Sequence, residues 1–253
     1  MNVWKSHLKL SKWWDNKVPV MMILIYGRLV SSHNPPGVLP VLGTLGLFLV
    51  ATLGIGTLGH LVNDYFDLEK DERTGARNLF AGCGVSGILA RFTVAIFFST
   101  WPWLLLDTPK IVWFLLVAEF VLFLSYSAPP LRLKERGLAG PCADALYAYT
   151  IPLLVTWFLF GRKLGLDPSY GFALAILPWT CFMGLRGILT HQLLDCSRDL
   201  QSGTVTLATE TGSENIVFIL NRCLTLEIVS GLVFLLALGL LAPSVLALSL
   251  IHI

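Results

Sequence analysis

Seven apolar runs, at about 18–32, 38–62, 85–106, 110–128, 139–160, 168–190 and 214–241, leave this chain few ways to fold. Each is near the ~20 residues that an α-helix needs to cross the hydrocarbon core of a bilayer. An eighth run begins near 243 and reaches only to Ile253, too short to span alone. Composition points the same way: 55% of the residues are hydrophobic and 13% charged, against about 25% charged in soluble domains. The expectation is an all-α, polytopic transmembrane helical bundle with seven full spans and a partial eighth. It forms one domain over 18–253, short at its C-terminal end. The basic, aromatic stretch 1–17 is too interrupted for a signal peptide and reads as a lead-in on the membrane surface.

The breaks between runs alternate between two kinds. Those at 31–37, 105–110 and 161–168 are short and rich in Pro or Gly, whereas those at 63–78, 129–137 and 195–214 are longer and charged. Lys5, Lys9, Lys12, Lys17, Lys70, Arg73, Arg77, Arg91, Arg132, Lys134, Arg136 and Arg198 fall on the side of the charged breaks. Only Lys110, Arg162 and Lys163 fall on the other, while Arg28, Arg186 and Arg222 lie within or near helices, with Arg28 placed to snorkel. This asymmetry puts the N-terminus and the charged loops in the cytoplasm. Nucleic-acid binding does not fit, because the basic residues are interleaved with acidic ones and tied to membrane loops. The five cysteines show no metal-ligand spacing and read as small apolar residues.

Orientation alone does not explain the acidic residues. The second run ends in Asn63-Asp64-Tyr65-Phe66-Asp67-Leu68-Glu69-Lys70-Asp71. On a helix, positions 63, 67 and 71 share one face, with Asp64 beside it. The sixth run ends in His191-Gln192-Leu193-Leu194-Asp195-Cys196-Ser197-Arg198-Asp199. The spacing Asp67-x3-Asp71-x3-Gly75 is echoed by Asp195-x3-Asp199-x3-Gly203, as if two half-sites faced each other across the bundle. Carboxylates one turn apart repel unless a cation lies between them. Mg²⁺, which takes oxygen ligands and shares them with substrate phosphates, fits that need. The metal-facing set is then Asn63, Asp64, Asp67, Asp71, Asp195 and Asp199. Arg73 and Arg77 after the first motif, with Arg132 and Lys134 in the second charged loop, are the cations for phosphate oxygens.

These segments resemble the UbiA superfamily of intramembrane prenyltransferases. NDYFDLEKD is similar to its first aspartate-rich motif and DCSRD to its second. Tyr126-Ser127-Ala128-Pro129-Pro130-Leu131-Arg132-Leu133-Lys134-Glu135-Arg136-Gly137 resembles its YSxxPxRLKxRG segment. The resemblance implies a bundle with a central cavity open to lipid. It also implies Mg²⁺-dependent transfer of an isoprenoid chain from its diphosphate to a hydrophobic acceptor. Asn63, Asp67, Asp71, Asp195 and Asp199 would face the metals, and Arg77, Tyr126 and Lys134 would help to hold the diphosphate. The chain departs from the family pattern at Arg77-Asn78-Leu79, where Arg-Pro-Leu is usual, and at His191, where tyrosine is common. It also stops in its eighth helix of a usual nine.

The chemistry expected of Asp67, Asp71, Asp195 and Asp199 is stabilisation of a departing diphosphate. His191 is either a proton acceptor or a polar cap. Tyr65, Phe66, Tyr126, Tyr147 and Tyr149 are candidates to face an allylic cation, or interfacial anchors. Asp144, Glu119 and Glu227 are ionisable groups inside apolar runs, where such groups often face a cavity. A membrane terpene cyclase, an ion transporter and a truncated, inactive paralogue are the competing readings.

Overall fold

The computed structural model describes residues 10–32, 36–166 and 170–241. Helices α1 (Leu10–Val30), α2 (Val38–Thr74), α3 (Val85–Leu105) and α4 (Lys110–Ser127) come first. A short 3₁₀ turn (Leu133–Glu135) leads into α5 (Ala139–Ala145), which runs through a π turn (Leu146–Thr150) into α6 (Ile151–Lys163). Helices α7 (Tyr170–Ser202), α8 (Leu207–Thr211) and α9 (Ser213–Leu241) complete the bundle. Six of the helical segments are long and apolar enough to cross a membrane, Ala139–Lys163 counting as one. The first apolar run lies in α1, and the eighth falls outside the described residues.

Helices and apolar runs share most of their boundaries; α1 starts ahead of its run, at Leu10, and two further exceptions build the site. α2 has 37 residues and α7 has 33, or roughly 55 and 50 Å at 1.5 Å per residue. A hydrocarbon core is about 30 Å thick. Both helices therefore continue past their apolar runs, and the acidic motifs ride on these extensions instead of on loops. The two ends stop alike. At Gly75, φ is 66°, and the Ala76 N–H donates to the Asp71 carbonyl at 2.9 Å. At Gly203, φ is 67°, and the Thr204 N–H donates to the Asp199 carbonyl at 2.8 Å. A left-handed glycine closing the last turn in this way is a strong helix stop. It gives the glycine of the sequence echo its physical meaning.

α2 packs most extensively on α3, and α7 on α9. The first pair touches where Gly54 meets the Phe98–Ser99 backbone; the second pair brings Gly231 against Trp179. α6 runs through the centre, with Leu153, Trp157, Leu159 and Phe160 almost fully buried. The Phe160 ring meets Phe48 of α2 edge-on, with centroids 5.4 Å apart. Leu104, Phe114 and Leu174 face outward, as side chains do when lipid is the solvent. Arg28 does not snorkel: it is 4% exposed and lies over the Trp157 ring at 4.1 Å, in space left open by Gly161. Arg186 and Glu227 join α7 to α9 through a bidentate pair, with one N–O distance of 2.9 Å.

Candidate active site

The α2 and α7 extensions enclose a polar cavity of about 280 Å³, with Asn63, Asp67 and Lys70 on one wall and His191, Asp195 and Asp199 on the other. It is continuous with a larger inner chamber of about 420 Å³, because Asn63, Tyr126, Ile188, His191 and Asp195 line both. The inner chamber descends between α2, α4 and α6 to Phe48 and Trp103. A polar mouth thus opens onto a mostly apolar, aromatic interior.

Lys134 closes the mouth from the third side. Its ammonium donates to Asn63 Oδ1 at 3.0 Å and to both Asp67 oxygens at 2.6 and 2.5 Å. Arg132 donates to Asp67 Oδ1 at 2.9 Å and to Glu135 at 2.7 Å. The turn carrying both cations is held tightly. Arg132 has φ 41°, a left-handed conformation unusual for a side chain of its size. Gly140 of α5 lets the turn lie against the helix, since a Cβ there would stand 3.0 Å from both the Leu133 carbonyl and the Lys134 Cα. Burial pulls the Lys134 ammonium below its ordinary pKa range, and the Asp67 carboxylate beside it works in the opposite direction.

A cation already held between Asn63 and Asp67 shows what this wall is built to face. The cavity's oxygen donors, Asn63, Asp67, Asp195 and Asp199, are the hard ligands that Mg²⁺ takes. Among the described residues, no three His, Cys, Asp or Glu side chains close around an ion by themselves. The donor set therefore suits a metal that draws its remaining ligands from phosphate and water.

The expected site residues fall into two groups. Asn63, Asp67, Tyr126, Lys134, His191, Asp195 and Asp199 line the connected cavities, and Arg132 braces Asp67. Asp64, Asp71, Arg73 and Arg77 line neither. Asp64 is 2% exposed, and its carboxylate accepts from the Leu79 N–H at 3.2 Å. The Asp71 carboxylate accepts from Asn78 Nδ2 at 2.7 Å. Arg73 pairs with Glu69 on its own helix, and Arg77 is exposed. Asn78 ties this region together, because its Nδ2 also donates to the Asp64 carbonyl at 2.7 Å and its Oδ1 accepts from the Phe80 N–H at 2.8 Å. We expect Asn78→Ala to cost about 1–3 kcal/mol by stranding those buried groups, read as a lower melting temperature in detergent.

A lining residue escaped the sequence reading, and two candidates from it are arranged in a way that periodicity did not show. Lys17 was assigned to the surface lead-in, but it sits inside α1 and lines the inner chamber. Tyr147 and Tyr149, two positions apart, both line the chamber with Asp144. The π turn makes this arrangement possible. Pro152 has no N–H to donate to Ala148, so the regular ladder breaks just upstream. Thr150 Oγ1 donates to the Ala145 carbonyl at 3.2 Å. The proline was the available signal.

The family model described as the UbiA prenyltransferase family matches residues 20–253. The chain belongs to the UbiA prenyltransferase family. No curated protein matches it. Among solved structures, it is similar to a UbiA homolog from Archaeoglobus fulgidus bound to GPP and Mg²⁺. The TM-score is 0.64 and the identity 15%, over 93% of this chain and 82% of that one. The same homolog bound to DMAPP and Mg²⁺ gives 0.64 and 14%, with the same coverage. At such identity these structures establish the shared UbiA fold. Within it, the two departures from the family pattern have different surroundings here. Asn78 stands where the family usually has proline, and it latches the end of α2. His191 faces the join between the two cavities.

Proposed function

We propose that this UbiA-family protein is a Mg²⁺-dependent intramembrane prenyltransferase that moves an isoprenoid chain from a prenyl diphosphate to a small aromatic or lipid-like acceptor. One observation carries the reading: the acidic ends of α2 and α7 face a single mouth, and that mouth opens into an apolar chamber. A diphosphate suits the mouth and an isoprenoid chain suits the chamber. UbiA homolog structures with GPP or DMAPP and Mg²⁺ support the choice of donor and metal. The excess of lysine and arginine on the side of the charged breaks supports a mouth that faces the cytoplasm.

Asp67, Asp195 and Asp199, with Asn63, would hold Mg²⁺, whose charge offsets that of the departing diphosphate. Lys134 and Arg132, already fixed beside Asp67, turn their donors to the diphosphate oxygens. The C1–O bond breaks and its electron pair leaves with the diphosphate. C1 then bonds to the acceptor, which loses a proton. His191 at the join and Asp144 in the chamber are the groups placed to take that proton. The enclosed chamber keeps water from the allylic cation, and the Tyr126 and Tyr147 rings, 5.5 Å apart, offer it π faces.

Membranes containing the protein, incubated with labelled prenyl diphosphates, test this reading. Diphosphate release should require Mg²⁺ and vanish in an Asp67→Ala/Asp195→Ala double variant. Folded protein that releases no diphosphate from any donor refutes it. A labelled product formed without acceptor identifies a cyclase instead.

A further inference from the structure

The polar mouth carries a lysine that is bonded to no protein anion among the described residues. Lys70 lines the mouth from α2, three residues beyond Asp67, and its ammonium makes no hydrogen bond or ion pair there. Neighbouring cations are engaged. Lys134 and Arg132 end on Asp67, Arg198 pairs with Asp195 at 2.7 Å, and Arg73 pairs with Glu69 on the exposed side of α2.

Helical phase explains why Lys70 faces inward. At about 100° per residue, Lys70 stands about 20° from Asn63 around the helix, and Asp71 about 80° from it. Lys70 therefore keeps the mouth-facing side with Asn63 and Asp67. Asp71 turns to the flank, where Asn78 Nδ2 donates to its carboxylate at 2.7 Å. The last mouth-facing turn of α2 thus presents an ammonium instead of a second carboxylate. Asp199 on the opposite wall is within its electrostatic reach.

A prenyl donor would lie along this wall in one direction. With the isoprenoid chain in the inner chamber, the phosphate next to C1 falls at the level of Asn63 and Asp67, where Lys134 closes the mouth. The second phosphate lies farther out, and Lys70 is about 4.5 Å farther out along α2 than Asp67. An ammonium on a flexible stem is a strongly hydrated point charge suited to phosphate oxygens, and such charge-assisted hydrogen bonds are stronger than neutral ones.

Resting on the prenyl-transfer reading, we infer that Lys70 binds the second phosphate of the donor and makes the mouth select a prenyl diphosphate over the corresponding monophosphate. Lys70 is then a specificity-determining residue, and it takes the part at the mouth that the sequence offered to Arg73.

The test uses the full chain in lipid nanodiscs saturated with Mg²⁺. Calorimetry measures the affinity for geranyl thiolodiphosphate, and geranyl monophosphate is measured as its competitor, so that weak binding is still read. Lys70→Met, which keeps the length of the stem but removes the charge, should weaken thiolodiphosphate binding about tenfold or more. Its affinity for the monophosphate should stay within about threefold of wild type, and Lys70→Arg should hold both ligands within the same range. Arg73→Met removes an equal charge one residue-triplet along α2 and should leave both affinities unchanged. A smaller loss in Lys70→Met, an equal loss for the monophosphate, or an equal loss in Arg73→Met overturns the inference and leaves the donor site standing. Folded wild-type protein that does not bind the thiolodiphosphate removes the prenyl-transfer reading, and this one with it.

Discussion

Asp67→Asn should slow Mg²⁺-dependent diphosphate release by about 10³-fold while leaving the fold intact. Asp67 is the residue on which the mouth converges, since Lys134 and Arg132 both end on its carboxylate. Asparagine keeps the side chain's size and one acceptor oxygen, so the turn bearing Lys134 still has a partner. What it lacks is the negative charge that faces a divalent ion. The defect should therefore appear both as slower single-turnover release and as a higher Mg²⁺ concentration for half-maximal rate. Release within threefold of the wild-type rate would remove Asp67 from the reaction.

Gly54→Val should destabilise the protein by roughly 1–3 kcal/mol or more through overpacking, lowering the melting temperature by about 3–10 °C. A Cβ at position 54 would lie 2.5 Å from the Phe98 carbonyl carbon and 2.5 Å from the Ser99 nitrogen. These are backbone atoms, so no rotamer change relieves the clash and α2 must move away from α3. Asn63 and Asp67 lie farther along α2, so activity should fall with stability. Gly59→Ala is the control: no atom lies within 4 Å of its added Cβ, and its melting point should stay near wild type. A Gly54→Val protein as stable as wild type would mean that α2 and α3 do not pack this closely.

The apolar runs located the membrane-crossing helices because lipid leaves the backbone few other solutions, although α1, α2 and α7 extend beyond them. That Asn63, Asp67, Asp195 and Asp199 line one cavity was legible for a similar reason: one-turn spacing on a helix fixes the shared face. Asp64 and Asp71, which line neither cavity, show what that reasoning leaves out. Helical phase says which side a residue occupies but not what packs there. The 78–80 segment folds back on the end of α2 and takes both side chains through Asn78 and Leu79. Lys17 was misplaced because a lysine next to an apolar run looks like an orienting charge. Only the packing of α1 beside α6 turns it inward. Glu119 carried no neighbouring pattern at all, and only the packed bundle places it on the chamber wall.

The central claim is that the ends of α2 and α7 share one metal–diphosphate site. Electron paramagnetic resonance of Mn²⁺, substituted for Mg²⁺ in nanodisc-held protein with a prenyl thiolodiphosphate, tests it most directly. The account predicts ³¹P couplings to the bound ion that are lost in Asp67→Asn and, separately, in Asp195→Asn. Mn²⁺ that shows no ³¹P coupling, or coupling that survives either substitution unchanged, would contradict it.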